Sequence, residues 1–104
     1  MRTSSALVAL AALLTPFVTA DLHHSGVCVT KTGGQNVYHG EATIAACQAY
    51  LSRNTGNEQW DQCPDCAMKN IGNLDVCHSD GWHIGGDELN HYCEENGAAG
   101  SMAN

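Results

Sequence analysis

The chain is predicted to fold as a small α+β sandwich, with two helices on one face of a three- or four-stranded antiparallel sheet. Three observations predict this class: strand-like and helix-like segments in the order β-α-β-β-α, six cysteines in a short chain, and an N-terminal secretory leader. Small secreted domains have marginal hydrophobic cores and add disulfides to compensate. We therefore expect disulfides to cross-link the helices and strands of the sandwich.

The leader has the three parts of a signal peptide. Arg2 supplies the positive charge, residues 6–14 form an unbroken apolar run, and Pro16 interrupts that run. A membrane span needs about 20 apolar residues, so this run is too short for one. We predict a signal peptide over residues 1–20, cleaved between Ala20 and Asp21. Residues 21–104 would then form one secreted domain without a membrane anchor, ordered from about residue 26 to residue 97.

The first strand and the first helix are predicted from periodicity. β-branched residues surround Cys28 and indicate a short strand. Residues 41–53 then have the pattern of a helix, because Ile44, Cys47 and Leu51 recur at positions i, i+3 and i+7. This stripe is expected to face the core.

A hairpin is predicted next. Gly72 and Asn73 separate two short strand-like segments, residues 67–71 and 74–78, and two residues of this kind favour a tight hairpin turn.

The second helix is predicted to begin after Asp87, a natural N-cap residue, and to end before Gly97. Leu89, Tyr92 and Cys93 form its apolar stripe. The segment after Gly97 is rich in small residues, and we expect it to be a flexible tail and a poor strand.

The pair Cys63 and Cys66 admits three interpretations: a redox-active pair, half of a zinc site, or two half-cystines. An even number of cysteines in a secreted chain favours three structural disulfides, among Cys28, Cys47, Cys63, Cys66, Cys77 and Cys93. Zinc would leave an odd set of cysteines in an oxidising compartment. Six cysteines allow fifteen pairings, but bridging so short a loop removes little chain entropy. We therefore expect Cys63 and Cys66 each to pair elsewhere.

The acidic charge limits the possible partners. The net charge is −7, and after loss of the leader the basic residues are Lys31, Arg53 and Lys69. Nucleic-acid binding needs a basic footprint, so it is not expected, and the same deficit argues against adhesion to anionic membranes. We expect a soluble monomer.

The chain also resembles a known family over roughly residues 26–97, where the second helix falls at the position of that family's second helix. The segment "CVTKTGGQNVYHGEATIAACQAYL" has a strand cysteine, a T-x-T-G turn, a tyrosine, and an Ala-Thr pair opening a helix that carries a cysteine. It resembles the α-subunit of the virally encoded killer toxin of smut fungi (the sixth-type killer protein) and the secreted fungal effectors thought to share its fold. The resemblance implies a fungal origin and a ferredoxin-like β-α-β-β-α-β sandwich. The tail after Gly97 departs from the family as a poor fourth strand.

Candidate catalytic residues are few. His78, Ser79, Asp80 and His83 lie close together in "CHSDGWH" and imitate a catalytic triad. Neighbouring residues of a strand point to opposite faces, so a polar turn explains the segment better. We expect no catalytic residues and no cofactor.

Two other sites are suggested by single features. Trp60 and Trp82 both lie in predicted loops, where exposed tryptophans would form a binding patch. Cleavage before Asp21 would leave an Asp-Leu-His terminus, whose amine, backbone nitrogens and His23 imidazole suit the square-planar geometry of Cu(II). A flexible polar terminus is the explanation that we favour for Asp21, Leu22 and His23, and we expect no bound metal.

These observations predict a small, secreted, cysteine-rich fungal effector that is not an enzyme. It would bind an unknown host protein or surface component, outside host cells or after uptake into them. The alternative is a killer-type or antimicrobial toxin that acts on competing microbes.

Overall fold

A computed structural model describes residues 22–104. The predicted signal peptide and its cleavage site, between Ala20 and Asp21, lie outside these residues. The described elements follow one another as β1 (Leu22–His23), β2 (Ser25–Thr32), β3 (Gln35–Tyr38), α1 (Gly40–Ser52), β4 (Ala67–Ile71), β5 (Leu74–His78), β6 (Ile84–Gly85), α2 (Gly86–Glu95) and β7 (Gly100–Ala103). The predicted α+β class is confirmed.

The main sheet is antiparallel and has five strands, one more than the largest sheet predicted. Its strand β2 pairs with β5 and β3 along one edge and with β7 along the other. Gly26 shows this arrangement, because it lies between Cys77 of β5 and Ala103 of β7. The order β7-β2-β5-β4 is the strand order of a ferredoxin-like sandwich, to which β3 adds an extra strand.

The remaining two strands, β1 and β6, form a small sheet of their own, with Leu22 opposite Gly85 and His23 opposite Ile84. Regular secondary structure among the described residues therefore begins at residue 22.

Both helices cover the same face of the main sheet. Cys28 of β2 is bridged to α2, and Cys77 of β5 is bridged to α1. Gly26 lies on the same face, because a Cβ atom added at this position would collide with Leu89 of α2. Since side chains alternate along a strand, Val27 and Val76 face the opposite side, which no helix covers among the described residues.

Helix α1 packs through a different stripe from the predicted one. Its buried residues include Thr43, Ala46, Cys47 and Tyr50, whereas Ile44 is 53% exposed and Leu51 is 38% exposed. The prediction that Ile44 and Leu51 face the core is therefore wrong. Small residues next to Tyr50 let the helix approach the sheet closely, and Cys47 lies at the border of the two stripes.

The N-terminus of α1 is capped by histidine. The Nδ1 atom of His39 accepts a hydrogen bond from the backbone N–H of Ala42 at 3.1 Å. The hydroxyl of Thr43 donates to the carbonyl of His39 at 2.8 Å and accepts from the N–H of Cys28 at 2.9 Å. Thr43 therefore joins the start of α1 to β2.

Helix α2 begins two residues earlier than predicted. Gly85 is its N-cap and makes no side-chain cap bond, so Asp87 is not the cap but lies in the first turn. A carboxylate there still favours the positive end of the helix dipole. Leu89 and Cys93 are buried as predicted, and Gly97 ends the helix with a φ of 91°.

The tail forms a strand, and the prediction that it would be a poor strand is wrong. Residues 100–103 pair with residues 26–29 of β2. Two backbone hydrogen bonds flank this ladder, from the N–H of Ala99 to the carbonyl of Val29 at 2.8 Å and from the N–H of Asn104 to the carbonyl of Ser25 at 3.0 Å. The edge of β2 supplies partners for the tail backbone, and local composition does not reveal them.

Tyr50 joins α1 to the loops at one end of the molecule. Its side chain is fully buried, and its hydroxyl lies within hydrogen-bond distance of the carbonyls of Trp60 and His83. The hydroxyl also accepts from the N–H of Gly85 at 3.1 Å. Burial raises the pKa of Tyr50 to about 12.

Among residues 22–104, no helix is both long enough and apolar enough to cross a bilayer.

Candidate functional site

Two long-range disulfides hold the helices to the sheet. Cys28 of β2 is bonded to Cys93 of α2, and Cys47 of α1 is bonded to Cys77 of β5. The Cα atoms are 5.3 Å apart in the first bridge and 5.4 Å apart in the second, which is ordinary disulfide spacing. Both bridges therefore join a helix to a strand of the main sheet.

The third bridge joins Cys63 directly to Cys66, so the expectation that each pairs elsewhere is wrong. Pro64 and Asp65 form a turn in which the N–H of Cys66 donates to the carbonyl of Cys63 at 3.1 Å. This turn brings the two Cα atoms to 5.3 Å. Loop-closure entropy is a property of the unfolded chain, whereas local turn geometry determines which cysteines meet in the folded one.

The carboxylate of Asp65 organises the neighbouring loop, residues 79–83. One oxygen accepts from the Ser79 hydroxyl at 2.6 Å, and the other accepts from the N–H of Gly81 at 2.7 Å. Burial alone would raise the pKa of Asp65, but the hydrogen bonds from Ser79 and Gly81, helped by the charge of nearby His83, lower it below its usual value. The ionised carboxylate therefore fixes the loop.

Ser79 is fully buried and structural. Its N–H donates to the carbonyl of His24 at 2.9 Å, and its carbonyl accepts from the N–H of Trp82 at 3.1 Å. Its hydroxyl, already bonded to Asp65, accepts from the N–H of His83 at 3.0 Å. Ser79 thus belongs to a polar turn, the interpretation that the sequence favoured over a triad.

The loop presents Trp82 to solvent. The Trp82 side chain is 49% exposed, and the residue has a φ of 57°, a backbone conformation that bulky residues seldom adopt. Its ring meets the ring of His24 edge to face, with centroids 4.5 Å apart. We call the surface formed by His24, His78, Asp80 and Trp82 the Trp82 edge.

Trp60 plays a different part. Trp60 is half-buried. It packs against Gly85, where an added Cβ atom would lie 2.8 Å from the Cβ atom of Trp60. Its loop is fixed to the Trp82 loop, since the side chain of Gln59 donates to the carbonyl of Gly81 at 3.0 Å. Trp60 therefore supports the loops, and Trp82 is the better candidate for contact with a partner.

Ser25 joins three residues of the Trp82 edge in one chain of polar contacts. The hydroxyl of Ser25 lies 2.9 Å from Nδ1 of His24 and 3.0 Å from Nδ1 of His78. Nε2 of His78 lies 2.8 Å from a carboxylate oxygen of Asp80. Sequence reasoning missed Ser25, because 53 residues separate it from His78 and only the pairing of β2 with β5 brings them together.

The copper-binding terminus stays a prediction. Asp21 lies outside the described residues, whereas Leu22 and His23 are paired with β6. A square-planar chelate uses the backbone nitrogens of the second and third residues. Copper binding there would therefore compete with the pairing of β1 and β6.

Comparison with known families agrees with the predicted secretion. The family model of biotrophy-associated secreted protein 4 matches residues 21–101. This chain belongs to that family. Its members are fungal secreted effectors, so the protein is secreted and extracellular. No curated protein and no solved structure matches the chain.

The family membership refines the resemblance to killer toxins. It supports a small, cysteine-rich, secreted fungal effector, but it does not support killer-toxin identity in particular. The strand order is ferredoxin-like, as the resemblance implied, but a shared fold does not establish a shared activity.

Proposed function

We propose that this protein is a non-enzymatic effector that binds a host protein or surface component through the Trp82 edge. The observation that carries the proposal is the exposed indole of Trp82 on a loop fixed by internal hydrogen bonds. Tryptophan is among the residues most enriched at binding hot spots.

Preorganisation supports this role. Binding costs less entropy when a side chain is already held in its bound conformation. The loop of Trp82 is fixed by Ser79 and Asp65, and this support holds Trp82 in a left-handed conformation that costs about 1–3 kcal/mol for a residue of its size. A strained, exposed aromatic residue that the surroundings hold in place is typical of functional surfaces.

Binding is favoured over catalysis by the geometry of the Ser25 chain. In serine hydrolases the serine contacts Nε2 of the histidine and the carboxylate contacts Nδ1. Here Ser25 lies against Nδ1 of His78, and Asp80 lies against Nε2. Ser25 is also only 8% exposed, so its hydroxyl is better suited to fixing the two imidazoles than to attacking a substrate.

The partner is expected to be neither a nucleic acid nor a membrane. Among the described residues there are three side chains with a fixed positive charge, and one of them, Arg53, lies 3.8 Å from Asp61. A phosphate-rich partner would meet an acidic surface. A host protein or a neutral surface component fits the charge better.

The test compares binding of three proteins to fluid from infected host tissue. The purified wild type, Trp82→Ala and Met102→Ala would each be cross-linked to that fluid, and the captured host species identified by mass spectrometry. Met102 is the matched control, because it is a large apolar side chain of similar exposure, 53%, on strand β7 and is not one of the residues that form the Trp82 edge. Loss of a hot-spot residue costs about 2 kcal/mol or more, which is roughly a 30-fold fall in affinity.

We expect wild type and Met102→Ala to capture the same species, and Trp82→Ala to lose it. Equal capture by Trp82→Ala would remove the Trp82 edge as the binding surface. Growth inhibition of neighbouring microbes by the purified protein, with no host species captured, would instead favour the toxin alternative. Transcript levels add a second distinction: induction in host tissue alone supports the effector role, and high levels in pure culture oppose it.

A further inference from the structure

Two of the three bridges lie side by side. The Sγ atom of Cys66 is 3.6 Å from the Sγ atom of Cys77, although the two are not bonded to each other. The Sγ atoms of Cys47, Cys66 and Cys77 all lie within 4.8 Å of one another. They come from three separate parts of the fold: α1, the turn of residues 63–66, and β5.

This spacing is close to that of a tetrahedral zinc site. A Zn–S bond is about 2.3 Å long, which places two sulfurs of a tetrahedron about 3.8 Å apart. The distance between Cys66 and Cys77 already has this value to within a few tenths of an ångström. Cys63, which is bonded to Cys66, lies at the C-x2-C spacing that structural zinc sites use, and its thiolate would be the fourth ligand after reduction.

The count of cysteines also allows a zinc site. Zinc was not expected from the sequence, because a zinc site would leave an odd set of cysteines. The structure groups the six differently, because Cys28 and Cys93 form a separate bridge between β2 and α2. Four sulfurs can bind a metal and still leave one complete pair.

We propose that, once a reductant has opened the two neighbouring bridges, the protein binds one Zn²⁺ through the thiolates of Cys47, Cys66 and Cys77, with Cys63 as the fourth ligand. This proposal does not rest on binding of a partner through the Trp82 edge. It concerns the form that the protein would take in a reducing compartment, such as the interior of a host cell.

The chemistry balances with a dithiol as the reductant. Each bridge accepts two electrons and two protons from one dithiol, which becomes a disulfide, and two bridges therefore yield four thiols. Each thiol loses its proton when it binds the metal, so loading one Zn²⁺ with four thiolates releases four protons. The metal has a route to the site, because Cys47 and Cys66 line an open groove of about 190 Å³.

A bound zinc ion would replace the two opened bridges as the link between their elements. The Cys47–Cys77 bridge holds α1 to β5, and the Cys63–Cys66 bridge closes the turn that carries Asp65. One metal bound to all four sulfurs would hold the same elements together. Metal binding of this kind contributes directly to folding.

The experiment uses the purified mature protein, reduced anaerobically with a phosphine and freed of excess reductant. Cobalt is titrated first, since tetrahedral cobalt thiolates absorb strongly in the visible range, and zinc is then added to displace it. Native mass spectrometry gives the number of metals in each chain. We expect saturation at one cobalt per chain, full displacement by zinc, and no binding by the oxidised protein.

Thiol protection identifies the ligands without any variant. The reduced protein is treated with an alkylating agent with and without zinc, and modified cysteines are mapped by mass spectrometry. We expect zinc to protect Cys47, Cys63, Cys66 and Cys77 while Cys28 and Cys93 react. Protection of Cys63 and Cys66 alone, or equal reaction of all six cysteines, would overturn the proposal.

Two double variants provide a further check. Cys47→Ser with Cys77→Ser should lose the saturable cobalt spectrum, and Cys28→Ser with Cys93→Ser should retain it. Retention by both pairs would rule out the assigned ligands. If the first pair fails to fold, the protection pattern of the reduced wild type still decides the question.

Discussion

The helix–sheet body and the Trp82 edge are held together by different interactions. In the body, which comprises the two helices and the main sheet, Cys28–Cys93 and Cys47–Cys77 close loops of 65 and 30 residues. The Trp82 edge is supported by the turn of residues 63–66, whose Cys63–Cys66 bridge spans three residues, and the loop of Trp82 depends on hydrogen bonds to Asp65 and Ser79.

The difference assigns distinct tasks to the two regions. Long-range bridges stabilise a fold by restricting the unfolded chain, and they do so without defining a surface in detail. The hydroxyl of a buried serine and an ionised carboxylate accept hydrogen bonds from individual backbone N–H groups, and they therefore define the shape of a loop. Stability is concentrated in the body, and the geometry suited to recognition is concentrated at the edge.

The largest expected effect comes from removing a body bridge. Replacing Cys28 and Cys93 together with alanine should lower the free energy of unfolding by about 4 kcal/mol, because the bridge closes a loop of 65 residues. Replacing Cys63 and Cys66 with alanine should cost only about 2 kcal/mol, since that loop has three residues. Urea unfolding of the two variants measures both values.

The edge provides the contrast for these variants. Cys63→Ala with Cys66→Ala should retain the fold but loosen the turn that carries Asp65, which hydrogen exchange at Gly81 would report. Equal losses of stability in the two double variants would mean that the body and the edge do not differ as described.

The next effect concerns Tyr50, which connects the two regions. Tyr50→Phe leaves the N–H of Gly85 without its hydroxyl partner in a buried position, at a cost of about 2 kcal/mol. Tyr92→Phe is the control, because it removes the same group from the half-buried ring that packs on Tyr50, with centroids 5.4 Å apart. We expect Tyr92→Phe to change the free energy of unfolding by less than about 0.5 kcal/mol.

The same tyrosine predicts an alkaline limit. Folding raises the pKa of Tyr50 from 10.0 to about 12, so the folded protein holds this proton more tightly than the unfolded chain. The stabilisation is fully present below pH 10 and is lost as the pH rises to about 12. Tyr50→Phe should lose less stability than wild type over this interval. An identical pH profile would show that the hydroxyl does not act in this way.

Much of the body could be predicted from the sequence. The hairpin turn at Gly72 and Asn73 has positive φ values of 60° and 67°, as its two-residue loop requires, and α2 buries Leu89 and Cys93. These features depend on local periodicity and turn chemistry, which neighbouring residues determine. The pairing of β7 with β2 could not be predicted in this way, because a distant strand supplies its hydrogen-bond partners.

The edge was harder to predict for the same reason. Trp82 could be named from its residue type and its loop, but the contacts that fix it come from Asp65, 14 residues before Ser79. The direct Cys63–Cys66 bridge was missed because chain entropy was weighed without the turn geometry. Helix α1 was given the wrong buried stripe, since Ile44 is larger and more apolar than the alanines that actually face the sheet.

The smallest effect is expected at Asp65, and it tests the edge directly. Asp65→Asn keeps one oxygen as an acceptor and replaces the other with an NH2 group. The NH2 group cannot accept a hydrogen bond, so either the N–H of Gly81 or the hydroxyl of Ser79 loses its acceptor. Because Asp65 lies near the surface, we expect a loss of about 1 kcal/mol in the free energy of unfolding. Glu94→Gln, an exposed change at the end of α2, is the control and should have little effect.

The pH profile of these variants separates a charge effect from a packing effect. The pKa of Asp65 is lower in the folded protein than its usual 3.8, so its contribution is present above pH 3.8 and is lost as the pH falls through the folded value. The stability gap between wild type and Asp65→Asn should therefore narrow in acid, whereas the gap for Glu94→Gln should stay small throughout. A gap that is constant from neutral pH into acid would mean that Asp65 supports the Trp82 edge by its shape and not by its charge.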